Sequence, residues 1–257
     1  MGEIVGNIDG AQVVLYVFWA FFAGLVWYLQ AESRREGYPL EDDVTGNYNK
    51  DAWLTLPSPK TFILPHGQGT RVYPHPDNRD TRPIAAKRAS MTSGAPLIPT
   101  GNPMVDGVGP ASWAERPDYP DAMPHGEPKI VPLSTAPDYQ IAKEDRDPRG
   151  MRVVAADGEV VGEITDIWVD KMENYVRFFQ VKFGRNQRLI PLHFAVQREG
   201  RGRVREYYVH HLTAEQFKDI PKLASPEQIT LLEEEKIMAY FGGGELYAMA
   251  GRSEPLV

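Results

Sequence analysis

The chain has 257 residues, enough for one or two domains with a real core. It carries 28 Lys+Arg against 35 Asp+Glu, a net charge of −7, and this acidity argues against a general nucleic-acid binder. With no cysteine there is no disulfide framework, no thiolate nucleophile, no cysteine-based zinc or iron–sulfur site and no CxxC redox pair.

Between Asp9 and Glu32 no residue is charged, and Gly10–Ala31 is almost wholly apolar. Roughly 20 such residues span a hydrocarbon core of about 30 Å, so the run predicts a single transmembrane helix over 10–31. A signal peptide would need a basic start, a shorter apolar core and a small-residue cleavage site, and the flanking Glu3 and Asp9 are acidic instead. Trp27 and Tyr28 fall where an aromatic belt would lie, and Gly24 with Ala23 gives a small-residue patch for another helix. Arg34 and Arg35 follow the span, so charge asymmetry places residues 1–9 outside and the bulk in the cytoplasm. Tyr28, Arg34 and Arg35 are the expected lipid-interface residues, the arginines by snorkelling to phosphates.

Residues 32–128 read as an extended, proline-rich cytoplasmic segment, since 18 of the 22 prolines lie between Gly37 and Gly150. That density leaves no room for an ordinary helix. The segment still holds Trp53, Phe62, Ile63, Leu64, Trp113 and other apolar residues, unlike a disordered linker. It predicts extended chain laid on a surface, its own or a partner's.

Residues 129–222 read as a mainly β cytoplasmic body, a small antiparallel barrel. Asp157-Gly158 marks a hairpin between two β-rich runs. Asn174–Phe183 predicts a strand with Tyr175, Arg177, Phe179, Val181 and Phe183 on one face and Val176, Phe178, Gln180 and Lys182 on the other. Turns follow at 184–186 and at Gly200-Arg201-Gly202. Residues 223–257 read as a C-terminal helix and tail. Ser225 with Gln228 gives a capping box, Gly242-Gly243-Gly244 a stop, and the tail to Val257 shows no pattern.

No zinc-protease spacing, dinucleotide fingerprint, phosphate-binding loop or nucleophile elbow occurs. His210 and His211 are adjacent and point apart if they lie on a strand. Asp170, Glu173 and Arg177 cluster at a turn between two strands. They are either solvated turn charges or a carboxylate pair able to hold a proton near neutral pH. His125 and Glu127, with Asp118 and Asp121 nearby, are either a polar loop or a surface proton acceptor. The residues alone favour the plainer reading of both groups. Glu233-Glu234-Glu235 reads as the solvated face of the last helix, with Glu233 and Lys236 paired across one turn.

Six blocks in order carry a resemblance: RREGYPLE (34–41), PKTFILPHG (59–67), PTGNPMVDGVGPASW (99–113), KIVPL (129–133), DPRGMRVVAADGEVVGEITDIWVD (147–170) and ITLLEEEKIMAYFGGGELYA (229–248). With the N-terminal span, the chain resembles the H subunit of the purple bacterial (type II) photosynthetic reaction centre over nearly its whole length. The resemblance implies a PRC-type β-barrel capping the cytoplasmic face of the L and M subunits in the chromatophore membrane. Antenna polypeptides, a cytochrome subunit and membrane lipid are the other neighbours it implies, with no nucleic acid. It implies that the bacteriochlorophyll, bacteriopheophytin, quinones and non-haem iron lie in L and M, with no cofactor bound mainly by this chain. The function implied is non-catalytic: stabilising the complex and delivering protons to the secondary quinone. By position, Asp170, Glu173 and Arg177 match the family's internal proton-relay cluster. His125 matches a surface histidine where protons are taken up and where a transition metal can bind and slow uptake. A second histidine of some members is Glu127 here, and an acidic position is Met123, so metal inhibition should be weaker. Two other readings stay open: a membrane-tethered PRC-barrel adaptor, and a membrane-anchored hydrolase, against which the missing ligand spacing counts. Pigment in the purified complex separates the first reading from both.

Overall fold

The computed structural model of the chain describes residues 3–5, 8–48, 56–75, 80–200, 202 and 204–252. Trp53, Arg201 and residues 253–257 lie outside the described residues. Contacts gather the chain into two units, Met1–Thr81 with Ser90–Ala95, and Arg82–Ala89 with Pro96–Val257.

In the first unit, β1 (Glu3–Val5) and β2 (Ile8–Asp9) pair antiparallel ahead of α1 (Gly10–Glu32). Asp9 caps the helix by accepting from the Gln12 N–H at 2.9 Å, while the Gln12 side chain accepts from the Asp9 N–H at 3.3 Å. Gln12, a polar residue in an apolar run, thus satisfies helix-end donors that lipid could not. The 23 residues rise about 34 Å, enough to cross a bilayer core. Only Ala31 of the helix is buried, so its apolar surface faces outward. Beyond it, β3 (Lys60–Ile63) and β4 (Thr70–Tyr73) form a hairpin.

In the second unit, β5 (Ala86–Arg88) pairs with β6 (Leu97–Pro99), and α2 (Pro103–Asp106) is a single turn capped by Asn102. The main sheet contains β7 (Ile130–Pro132), β8 (Arg152–Ala155), β9 (Val160–Asp170), β10 (Tyr175–Phe183), β11 (Asn186–Pro191), β12 (Val196–Glu199) and β13 (Arg205–Val209). Its order is β11-β10-β9-β8-β13-β12, with β7 added on β9. The 11-residue β9 carries β8 on its first half and β7 on its second, which brings Ile130 opposite Asp170. Every ladder is antiparallel except β13 on β8, which is parallel. The last element is α3 (Leu231–Tyr247). The observed class is therefore an apolar N-terminal helix, a mainly β body and a C-terminal helix.

Trp168, Ile164, Ile167, Phe178, Phe179, Leu189 and Ile190 fill the core, joined by Ile237 and Phe241 of α3. Trp168 is fully buried, and its indole N–H donates to the Gln180 side chain at 2.9 Å, so burial leaves no orphan donor.

Three local expectations need correction. The alternation expected along β10 is interrupted between Val176 and Phe178, where Arg177 is one residue extra against β9, and Phe178 and Phe179 beyond it are both buried. Register shifts at Val176/Phe178 and Gln180/Val181 re-aim the side chains. The helix start is not Ser225 but Thr230: its hydroxyl accepts from the Glu233 N–H at 3.1 Å, and the Glu233 carboxylate accepts from the Thr230 N–H at 2.9 Å. Thr230 wins because its hydroxyl also donates to Asp118 and its backbone bridges Pro120. Finally, the glycine triplet does not stop the helix, which runs through it to Tyr247. A Cβ on Gly243 would sit 2.5 Å from that of Ala111, and one on Gly244 would collide with the His211 carbonyl oxygen. The glycines let the helix approach its neighbours, and that burial outweighs a propensity penalty of about 1 kcal/mol per glycine.

Candidate functional site

The end of β9 delivers Asp170 to the interior with no exposure at all. One carboxylate oxygen accepts from the N–H groups of Met172 and Glu173 at 3.0 and 3.1 Å. This Asx-type turn, closed by Asn174 at a φ of 51°, sets where Glu173 and Arg177 begin. The other oxygen, Oδ2, lies 3.4 Å from Arg177 Nε and 3.4 Å from Lys129 Nζ. Both are ion-pair distances, and among the described residues Oδ2 accepts no shorter, well-aligned hydrogen bond. Arg177 also approaches Glu173 at 3.9 Å, and the Glu173 carboxylate is half exposed. The fold therefore brings Asp170, Glu173 and Arg177 together as the spacing suggested.

Three further residues belong to this cluster. Lys129, just before β7, bridges Asp170 and Asp121, each at 3.4 Å. Burial works against the Lys129 charge, but the Asp170 and Asp121 carboxylates outweigh it and hold the ammonium above the usual lysine range. Glu234, in the first turn of α3, lines a small crevice with Asp121, Ile130 and Ile229. Burial raises its carboxyl, only partly offset by the charges of Arg177 and Lys129. The run 233–235 is thus not simply a solvated face. Glu233 closes the helix cap, Glu234 is drawn into the cluster, and Glu235 pairs with Arg116 at 3.6 Å. Lys236 lies over the Trp113 ring at 4.5 Å instead of pairing with Glu233. Periodicity could have flagged Glu234, because it shares a helix face with the buried Ile237 and Phe241.

His125 and Glu127 sit on an exposed turn closed by the Met123 N–H donating to the Glu127 carbonyl at 2.8 Å. The Glu127 carboxylate accepts from Lys171 Nζ at 3.3 Å, and the Lys171 N–H donates to the Lys129 carbonyl at 3.0 Å. The exposed turn is thus joined to the buried acid through Lys171 and Lys129, neighbours of both.

Of the residues expected to meet lipid, Tyr28 is half exposed on α1, and the Arg34 guanidinium lies 5.4 Å from the Tyr38 ring. Arg35 donates to both Glu32 carboxylate oxygens at 2.7 and 2.9 Å and to the carbonyls of Ser58 and Tyr73. It ties the end of α1 to the following chain.

His210 and His211 do not point apart. They follow β13 in a turn, their rings 3.6 Å between centroids, and both reach Glu245 of α3 through Nε2, at 3.3 and 2.9 Å. Strand alternation had already ended at Val209. Burial first, then His210, pushes the His211 imidazole down to about 4 despite the pull of Glu245.

The family model of the photosynthetic reaction centre H-chain N-terminal region matches residues 2–135. The chain belongs to the photosynthetic reaction centre H-chain family. A second model, the PRC-barrel domain, matches residues 141–207, the stretch that holds β8 to β12 and most of β13. The H-chain match covers α1 and the proline-rich segment together, and it accounts for an apolar helix with an outward-facing surface. The Asp170 cluster draws on both matched regions, with Lys129 and Asp121 in the first and Glu173 and Arg177 in the second.

Proposed function

We propose that this chain is a non-catalytic reaction-centre subunit that caps the cytoplasmic face of the L and M subunits and passes protons toward the secondary quinone. Its α1 crosses the bacterial inner (chromatophore) membrane beside L and M, with the N-terminus periplasmic and the body cytoplasmic. The bacteriochlorophylls, bacteriopheophytins, quinones and non-haem iron are held by L and M. Antenna polypeptides and a cytochrome subunit are further neighbours.

The observation that carries the relay is Asp170: a wholly buried carboxylate with one oxygen set between two cations, each 3.4 Å away. A quinone that takes two electrons needs two protons, and a buried site needs groups to hand them inward. His125 and Glu127 are exposed acceptors at the surface. The ion pair of Lys171 with Glu127 and its backbone bond to Lys129 fix this turn beside Asp121, Asp170 and Glu173, whose carboxyls are the groups that would accept and release the proton, with Arg177 beside them. Glu234 strengthens the reading, since a carboxyl raised by burial holds a proton closer to neutral pH. His125 is also the surface position where a transition metal would bind and slow uptake, less strongly for having Glu127 beside it.

The test has two steps. The chain, tagged and extracted from native membranes in mild detergent, should co-purify with near-infrared bands that bleach reversibly in light. In that complex Glu173→Gln should slow the second electron transfer to the secondary quinone, because that step is coupled to protonation. Unchanged kinetics over about pH 6–9, the range in which histidines and raised carboxylates titrate, would sink the relay.

A further inference from the structure

We infer that His210, His211 and Glu245 form a clamp for a divalent transition-metal ion, joining the end of β13 to the end of α3. This inference is independent of the proton relay. The three donor atoms already converge: Nε2 of His210 and Nε2 of His211 lie 3.3 and 2.9 Å from the same Glu245 oxygen, and all three are within 4.8 Å of one another. Ligand bonds of about 2.0–2.1 Å in a tetrahedron put neighbouring donors about 3.3 Å apart, so little movement is needed to enclose an ion. Two imidazoles and one carboxylate suit zinc, copper, nickel or cobalt and do not suit calcium or magnesium, which take oxygen donors.

The surroundings hold this geometry. Gly244 has no room for a side chain against the His211 carbonyl, and this close approach carries the adjacent Glu245 onto the two rings. The His211 ring is nearly buried, and the edge of Phe194 packs against it at 4.6 Å. Arg252 donates to the His210 carbonyl at 2.7 Å and to the Gly244 carbonyl at 3.3 Å, bracing both elements. Its positive charge works against tight binding, and Glu245 is the one anionic ligand of the set among the described residues. His210 and Glu245 remain exposed, so an ion has access, and solvent can complete its shell. Ligation through Nε2 places the imidazole proton on Nδ1. Nδ1 of His211 is buried without an acceptor among the described residues, and a missing outer partner of this kind weakens affinity by about 10–100-fold. The clamp is therefore a modest-affinity site that responds to metal supply.

The test uses the full chain, purified from its membranes in detergent with its partners and stripped of loosely bound metal. Zn²⁺ is titrated calorimetrically, and Cu²⁺ is followed by electron paramagnetic resonance. The expected result is a saturable site whose Cu²⁺ spectrum shows coupling to two nitrogens. His210→Ala and Glu245→Gln should each weaken it by about tenfold or more, within the range of a lost ligand interaction. Both side chains are exposed, so the metal-free variants should melt as the parent does. His125→Ala should leave this site unchanged. Binding that survives both substitutions, that disappears with His125→Ala alone, or that does not saturate would overturn the proposal.

Discussion

The ammonium of Lys129 lies 3.4 Å from Oδ2 of Asp170, 41 positions along the chain, because β7 and β9 pair with Ile130 opposite Asp170. Arg177 stands on the other side of the same oxygen at the same distance. The wholly buried carboxyl of Asp170 is thus met by the two cations at Oδ2 and by the N–H groups of Met172 and Glu173 at its other oxygen.

Asp170→Asn should therefore destabilise the chain by about 1–3 kcal/mol, less than a fully buried pair, since Arg177 stays partly in water. The amide oxygen can still accept from Met172 and Glu173, so the turn itself should persist. Thermal melts with near-ultraviolet circular dichroism would check both parts. An unchanged melting temperature would mean that the two cations are satisfied without Asp170.

Glu234 gives a pH prediction with a definite sign. Its folded carboxyl is raised above the unfolded value by burial. Such an acid favours the fold when protonated, and its contribution is lost as pH rises through the folded value. Glu234→Gln should then raise the melting temperature by about 1–3 °C at neutral pH and flatten the loss of stability between acid and neutral pH. The measurement is a pair of melting curves, one on the acid side of the ordinary carboxylate range and one near neutral pH. A steeper pH dependence in the variant would contradict the burial argument.

The glycine triplet should respond in a fixed order. Gly244→Ala meets a backbone carbonyl and should be the most damaging, at about 2–4 kcal/mol. Gly243→Ala meets the Ala111 side chain, and the strain of about 1–3 kcal/mol is offset in part by better helix propensity. At Gly242 an added Cβ would meet the Pro110 carbonyl oxygen at 3.2 Å, a tight contact that the gain of about 1 kcal/mol in helix propensity offsets, so Gly242→Ala should be the mildest of the three. Chemical denaturation of the three variants gives the ranking, and equal effects would mean that the helix ends are free to shift.

Much of this was legible in the residues because it depends on neighbours in sequence. The uncharged run at 10–31 can satisfy its backbone only as a helix in lipid, and α1 spans 10–32. Asp157-Gly158 marks a tight turn, and β8 and β9 flank it with Gly158 at a φ of 86°. Asp170, Glu173 and Arg177 lie within eight positions, so their grouping follows from one strand–turn–strand unit. Ser225 opens an S-x-x-Q box in the sequence, yet α3 starts five residues later, at Thr230. Only contacts with Asp118 and Pro120 select Thr230.

By itself the sequence determined the anchor, the hairpins and the local charge cluster, since each rests on composition or spacing over a few residues. Tertiary structure alone decided that Lys129 and Glu234 join Asp170, that a glycine triplet continues a helix, and that two adjacent histidines converge on Glu245. Each of these places groups from distant segments within a few ångströms. Local propensity carries no information about such distances, and burial there outweighs the roughly 1 kcal/mol preferences that local patterns encode.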